Sequence, residues 1–432
     1  MKLVFKIFLI LTFSLNSVLA ETLNAALKRA YDTNPELNAE RESINISEQE
    51  LKISKGSYLP TITLEGSKSQ EETDKLTNRD GSNASITDVD PEVRSITVTQ
   101  TLIDFGRGAE LAKSQIGIDL AKAKLLKKEQ EILYKAADAY TGLISAKEKL
   151  AINVSNVNLL DRQVETDRIR QERGRITLSD VAQSESSLAE AQAKLIQSEN
   201  DLLTSRLNYE NVIGQLNDIE SLEKGSINDL NLPSQLSDAI EISKKNNPDL
   251  IIAKLEYQQS EQDVKIARSD LSPSAKLSIT SSKTDDLSST YDEQDKETIT
   301  ATISWPIFQG GKNTASLNKS KKLKNRKKLL LENALKTNDT NVASAWSNLQ
   351  SSLSLLESVR SQVKAAEIAN EGITLEYESG SSGRSTLDVI QSSSILLDSE
   401  ISLANFERNY ILAQFKLLQS LGLLNSSYLK LQ

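Results

Sequence analysis

Two kinds of alternation divide the chain. Over long stretches apolar residues recur in steps of four and three; over four short stretches they alternate singly with polar ones. Ile132, Ala136, Ala139, Leu143, Ala146, Leu150, Asn153, Val157, Leu160 and Val164 follow the four-three rhythm, which gathers them on one helical stripe and makes a coiled-coil seam. A second seam runs through Leu335, Val342, Ala345, Leu349, Ser352, Leu356, Val359, Val363, Ala366, Asn370 and Ile373, with enough Ala and Ser to let helices approach closely. Proline supports the reading. The seven prolines stand at 35, 60, 91, 233, 248, 273 and 306, so none falls between 91 and 233 or after 306. Proline breaks helix interiors, and both intervals are rich in Ala, Leu, Lys, Glu and Gln. From Arg107 to Gln171 no strong stop is present, which predicts a helix of roughly 100 Å at about 1.5 Å per residue. The buried face of an ordinary bundle would show the same spacing, but globular helices rarely run so far.

The single alternation predicts strands over 59–68, 93–104, 274–283 and 297–307. Ile62 and Leu64 alternate with Thr61, Thr63 and Glu65; Ile96, Val98 and Leu102 with Ser95, Thr97, Thr99 and Thr101. Leu277 and Ile279 alternate with Lys276, Ser278 and Thr280; Ile299, Ala301, Ile303 and Trp305 with Thr298, Thr300, Thr302 and Ser304. Runs of about 9–11 residues suit tilted membrane strands. Tyr58, Phe105, Trp305 and Phe308 stand near strand ends, where an aromatic girdle would lie. The polar stretches 69–92 and 284–296 suit extracellular loops. A soluble sheet resting on a core would show the same alternation, but the chain offers no second layer of matching size. In lipid, an open sheet edge leaves N–H and C=O groups unpaired at several kcal/mol each. Four strands cannot close a barrel, for which about eight is the minimum. The barrel must then be shared: two copies give eight strands, three give twelve, and the larger leaves an open lumen.

The chain is written twice. Asn34-Pro35-Glu36-Leu37 recurs as Asn247-Pro248-Asp249-Leu250, each reading as a helix start with Asn as cap, Pro in the first turn and an acid beside it. Tyr58-Leu59-Pro60 returns as Leu271-Ser272-Pro273, and Ile103-Asp104-Phe105-Gly106 as Pro306-Ile307-Phe308-Gln309-Gly310. Leu143 and Leu150 match Leu349 and Leu356, and Leu178-Ser179-Asp180-Val181 matches Leu387-Asp388-Val389. Five matches in one order indicate an internal duplication of about 210 residues. The predicted organisation is a first repeat over 21–213 (helix, strands, long helix 106–171, helix 178–213) and a linker over 214–235. A second repeat covers 236–421 (helix, strands, long helix 310–376, helix 386–421), with a tail over 422–432. Each long helix ends at a break: Gly174-Arg175-Ile176-Thr177 in the first repeat, Gly380-Ser381-Ser382-Gly383-Arg384-Ser385 in the second. Each break restarts on a capping box, Thr177-x-x-Asp180 and Ser385-x-x-Asp388. Both aspartates cap helices on this reading. In a ring of copies, any that face the lumen also form a ring of like charges that attracts cations.

Residues 1–20 read as a secretory signal: Lys2 and Lys6, an apolar run from Ile7 to Leu15 too short to span a bilayer, and Val18-Leu19-Ala20 before Glu21. Without Lys2 and Lys6 the formal charge falls from −9 to −11, 49 basic against 60 acidic residues, which argues against nucleic acid as a partner. The chain has no Cys and no His. Disulfide staples are excluded, and catalytic triads, zinc sites and most acid–base pairs lose their commonest member. No enzyme and no cofactor is expected. Gly310-Gly311-Lys312-Asn313 distantly resembles a phosphate loop, but Pro306 stands where its first glycine is required and Asn313 where it needs Ser or Thr.

The two NP[ED]L helix starts, the paired strands, the Ile-Asp-Phe-Gly and Ile-Phe-Gln-Gly-Gly joints and the Leu-x-Asp-Val turns, in tandem, resemble the TolC family of outer-membrane factors over nearly the whole chain after Ala20. The resemblance implies a mainly α protein with β: a homotrimer whose four strands per copy form a shared barrel in outer-membrane lipid, with a periplasmic α-helical barrel below. It implies export of proteins or small molecules through a periplasmic adaptor and an inner-membrane transporter, either ABC or proton-driven. Residues 214–235 and the tail would belong to a girdle around the helices. By position Asp388 resembles the family's constricting aspartate ring, with Gln391 where a second acid often stands. Tyr377 and Arg384 resemble its gate links, with Ser179 and Asp180 as partners. A periplasmic coiled-coil adaptor or scaffold is the alternative; it would explain seams and signal, but not four amphipathic strands in two pairs.

Overall fold

The computed structural model describes residues 21–84, 88–216, 218–224, 232–288, 291–379 and 383–431. The signal segment, Gly380 to Ser382 and residues 225–231 of the linker lie outside them. The elements run α1 (Leu23–Thr33), α2 (Pro35–Gly56), β1 (Thr61–Lys68), β2 (Glu92–Ile103), α3 (Arg107–Glu172), α4 (Leu178–Val212), α5 (Leu236–Asn246), α6 (Pro248–Ser269), β3 (Ser274–Asp285), β4 (Glu293–Ser304), α7 (Lys312–Ser379) and α8 (Thr386–Leu421). The fold is helical with one four-stranded sheet, as the alternations predict. Among the described residues no helix is long and apolar enough to cross a membrane.

Each half opens with two helices where the sequence predicts one. Leu23, Ala26, Leu27 and Ala30 form the buried face of α1. Pro35 ends that helix, because a residue before proline is driven out of helical conformation. Asn34, so extended, caps α2: its Oδ1 accepts from the Glu36 and Leu37 amides at 3.0 and 3.3 Å. Its Nδ2 donates to the carbonyl of Val212 at the end of α4, at 3.2 Å. Asn247 repeats the reach, donating to Ser420 O near the end of α8 at 3.0 Å. The repeated Asn-Pro thus ties the start of one helix to the end of another in both halves. The same junction fixes Gly422, which closes α8 at φ +77°. A Cβ there would lie 2.6 Å from Asn247 N, against backbone that cannot yield. Gly422→Ala should therefore cost about 1–3 kcal/mol in strain and collision, read as a lower denaturation midpoint of the detergent-solubilised protein.

The chain forms two compact units, and each draws on both halves. One holds residues up to 38, 128–247 and from 340 onward; the other holds 39–127 and 248–339. In the first unit the seams are buried. Ile132, Ala136, Ala139, Leu143, Ala146, Leu160 and Val164 lie inside, as do Val342, Ala345, Leu349, Leu356, Val359, Val363 and Ala366. Ala239 of α5 and Leu417 and Leu421 of α8 pack with Val342, Ala345 and Leu349. Tyr140 and Tyr209 are fully buried with rings 6.4 Å apart, and the Tyr140 hydroxyl contacts the carbonyls of Glu21 and Glu223, both at 2.7 Å.

The second unit carries the sheet, antiparallel throughout in the order β1-β2-β3-β4, so that β2 and β3 join the two halves. β4 extends further toward the β3–β4 hairpin than the sequence suggests and ends at Ser304, leaving Trp305 beyond it. α6 is held between α3 and α7 by Lys113–Asp263 at 2.7 Å, Lys127–Asp249 at 2.8 Å, Lys324–Glu261 at 3.0 Å and Lys327–Glu256 at 2.6 Å.

Candidate functional site

The sheet has two chemically opposite faces. Register places Ile62, Val98, Ile279 and Ile299 in one row across all four strands. The neighbouring rows of the other face are hydroxyls: Thr61, Thr99, Ser278 and Thr300, then Thr63, Thr97, Thr280 and Thr298. On that face Thr97 bonds Thr280 at 3.1 Å and Thr99 bonds Ser278 at 3.2 Å. The apolar face is bare: Ile62 is 69 % exposed, Leu64 79 %, Ile299 74 % and Ile303 78 %. A soluble sheet would bury that face. β1 and β4 each have one edge unpaired within the chain. The four predicted girdle residues all stand at the helix end of the sheet: Tyr58 before β1, Phe105 after β2, Trp305 and Phe308 after β4. All four are exposed, and the Arg107 guanidinium lies over the Tyr58 ring at 4.9 Å.

In the other unit, the ends of α3 and α7 meet the starts of α4 and α8 around one buried carboxylate. Asp167 has no exposed surface. It accepts from the Tyr377 hydroxyl at 2.6 Å, from Ser184 at 2.5 Å and from Gln163 at 3.0 and 3.1 Å. A buried carboxylate is tolerated only when so fully bonded. The Tyr377 oxygen also meets the hydroxyl of buried Thr386 at 2.9 Å. The Arg170 guanidinium stacks over the Tyr377 ring at 4.0 Å and donates to the Tyr377 carbonyl at 3.3 Å. Burial, then the bond to Asp167, pushes the Tyr377 phenol above its ordinary range, so it remains a donor. One tyrosine thus links α7 to α3 and α8, while Asp167 carries the link to α4.

The predicted gate residues are arranged differently from the expectation. Within the chain Tyr377 bonds Asp167 on α3, and Arg384 pairs with Glu376 at 2.7 Å; neither meets Ser179 or Asp180. Ser179 and Asp180 occupy the first turn of α4, where the Asp180 carboxylate accepts from the Thr177 amide at 2.8 Å. Asp388 does the same for Ser385, also at 2.8 Å, so both capping boxes form. Backbone bonding from Thr177 and Ser385 holds these two carboxyls below the usual range. Gln391 is exposed on α8. Asp167 was missed by the sequence reading, yet the signal was present. It falls three residues after Val164, on the continuation of the first seam, and Tyr377 falls four after Ile373 on the second. A polar residue that keeps the rhythm of a buried seam must find a partner there.

A sheet with an uncovered apolar face, two edges unpaired within the chain and long seamed helices are the features of an outer-membrane channel protein. The chain belongs to the outer membrane efflux protein family, whose model matches residues 26–215 and 239–423. It is 27 % identical over 418 residues to the outer membrane efflux protein BepC of Brucella suis, covering 96 % of this chain and 88 % of that one. It is 23 % identical over 425 residues to the outer membrane protein TolC of Escherichia coli K12, covering 94 % and 83 %. Its fold matches the Campylobacter jejuni CmeC outer membrane channel with a TM-score of 0.82 at 16 % identity, over 93 % of this chain and 86 % of that one. The fold class and the outer-membrane location inferred from the sequence hold, and the chain's relatives are channels rather than enzymes.

Proposed function

We propose that three copies of this chain close a twelve-stranded barrel in the outer membrane, and that the ring exports proteins or small molecules from a periplasmic helical tunnel. The carrying observation is the sheet: an apolar face without cover and two unpaired edges. Unpaired edges in hydrocarbon cost too much to persist, so sister chains complete the ring. The hydroxyl face then lines the lumen. The export is powered from outside the chain, by an inner-membrane transporter, ABC or proton-driven, reached through a periplasmic adaptor. The Asp167–Tyr377 joint holds the helix ends in the closed state. In the ring Asp388 contributes one carboxylate per copy at the constriction, and Gln391 adds no charge to it. Arg384 links to Ser179 and Asp180 of a neighbouring copy. Girdle residues Tyr58, Phe105, Trp305 and Phe308 sit at the periplasmic boundary of the lipid.

Protein extracted from outer membranes should run as a detergent-resistant oligomer before heating and as a monomer after it. In planar bilayers it should give discrete conductance steps. A water-soluble monomer, stable without detergent, would remove the reading and leave the scaffold alternative.

A further inference from the structure

One stretch of the second unit breaks with the acidic character of the chain. From Thr298 to Leu331 there is no Asp or Glu, while Lys312 to Lys328 holds eight Lys and Arg residues. The counterpart stretch of α3 carries Glu110 and Asp119. Three of the eight cations are paired within the chain: Lys324 with Glu261 at 3.0 Å, Lys327 with Glu256 at 2.6 Å and Lys328 with Glu332 at 3.9 Å. Lys312, Lys319, Lys321 and Lys322 are exposed and have no ion pair among the described residues. At about 100° per residue, Lys319, Lys321 and Lys322 stand away from the side of α7 that Lys324 and Lys327 turn to α6. α2 and α6, which lead into β1 and β3, add Lys55 and Arg268 in their last turns, both exposed and likewise without an ion pair among the described residues. Asp104, Glu110 and Asp270 stand near the same ends, three acids against these six cations. A cation in a last turn gains from the helix dipole, but Lys312 opens α7 and loses by it, with no acid in that first turn. The chain itself leaves the charge of α7 uncompensated.

We propose that these cations hold anionic phospholipid headgroups of the periplasmic leaflet, such as phosphatidylglycerol, as a collar at the helix end of the sheet. This rests on the membrane barrel proposed above. Trp305 and Phe308, which mark the edge of the hydrocarbon, stand just before Lys312. Headgroups fill about 5–8 Å beyond that edge. Lys319, Lys321 and Lys322 lie about 11, 14 and 15 Å along α7 from Lys312. Side chains of a helix lean toward its N-terminus, so each of these lysines leans back toward the lipid and snorkels its ammonium to within a Debye length, about 8 Å, of the phosphates. On α2 and α6 the lean is away from lipid, and there Lys55 and Arg268 stand in the last turn, close to the sheet. The occupant is an anionic lipid, because every free group of the collar on α7 is a cation and the aromatic residues beside it set the height. Clusters of four or more Lys and Arg next to a membrane segment attract such lipids.

Of the two tryptophans, Trp305 stands at this boundary and is 63 % exposed, so bromine on lipid chains reports contact by quenching its emission. The full-length oligomer is reconstituted into phosphatidylcholine vesicles that hold a minor fraction of brominated phosphatidylglycerol, or the same fraction of brominated phosphatidylcholine. The anionic lipid should quench Trp305 well beyond its share of the bilayer, the neutral one only in proportion to it. At about fivefold per cation near the surface, Lys319→Gln, Lys321→Gln and Lys322→Gln together should abolish that preference. Lys122→Gln, Lys124→Gln and Lys254→Gln remove the same charge from exposed lysines about 22–26 Å from the sheet ends of α3 and α6, and should leave it intact. Equal quenching by both lipids in the unaltered protein overturns the collar and leaves the barrel standing. Equal loss of preference in the two triple variants overturns its placement on α7. Loss of preference on adding millimolar glycerol phosphate assigns the cations to soluble phosphate esters and overturns the lipid. No quenching by either lipid overturns the membrane barrel as well.

Discussion

Tyr377→Phe should turn the closed channel into a leaky one, with single-channel conductance in planar bilayers rising several-fold and the ring still assembled. The substitution keeps the ring under Arg170 and removes only the hydroxyl that donates to Asp167 at 2.6 Å and meets Thr386 at 2.9 Å. A hydrogen bond to a charged group is worth about 1.5–3 kcal/mol, and its loss leaves a buried carboxylate short of one donor. At about 1.4 kcal/mol per tenfold, that shifts the closed-to-open ratio by roughly tenfold or more in each copy. Asp167→Asn should open the channel comparably, since a neutral amide accepts more weakly. The double variant should add little to either single, because both remove the same bond. Unchanged conductance in both single variants would take the joint out of the gate. Full additivity in the double would mean that the two residues act apart.

The parts of this molecule that face a boundary between two media were legible in the sequence. Strand alternation in β1 to β4 states which residues meet apolar surroundings. The two buried seams state which residues meet another helix. The capping boxes at Thr177 and Ser385 set the starts of α4 and α8, because a short side chain at the cap and an acid three residues on bond each other's backbone whatever the tertiary context. Three features were not legible, each for its own reason. α1 and α5 were overlooked because Asn-Pro reads as the start of a helix and says nothing of a helix that ends there; the Leu23, Ala26, Leu27 and Ala30 spacing carried that information. The partner of Tyr377 was not legible because any acid near a helix end satisfies a tyrosine equally well on paper. Only the packing of α3 against α7 selects Asp167 over Asp180. Finally, two copies and three both close the edges of the sheet, so ring size rests on the resemblance and on the lumen that twelve strands leave open.

Ile299→Arg should abolish the outer-membrane oligomer, while Thr300→Arg, the next residue along β4, should leave it assembled. Ile299 lies near the middle of β4, on the apolar row with Ile62, Val98 and Ile279, and is 74 % exposed. If that face meets lipid, an arginine near mid-membrane costs about 2–4 kcal/mol per chain, and a ring carries the cost in every copy. Thr300 lies in the hydroxyl row of the opposite face. An arginine there would stand in water, add one positive charge per copy to the lumen, and lower conductance and cation preference without disturbing the barrel. The two substitutions introduce the same side chain one residue apart, so strand propensity and net charge cancel from the comparison and only the facing medium remains. Equal loss of assembly would mean that both faces are packed, as in a soluble sandwich. Survival of Ile299→Arg with loss of Thr300→Arg would turn the barrel inside out, placing the hydroxyl rows toward lipid against the cost of desolvating them.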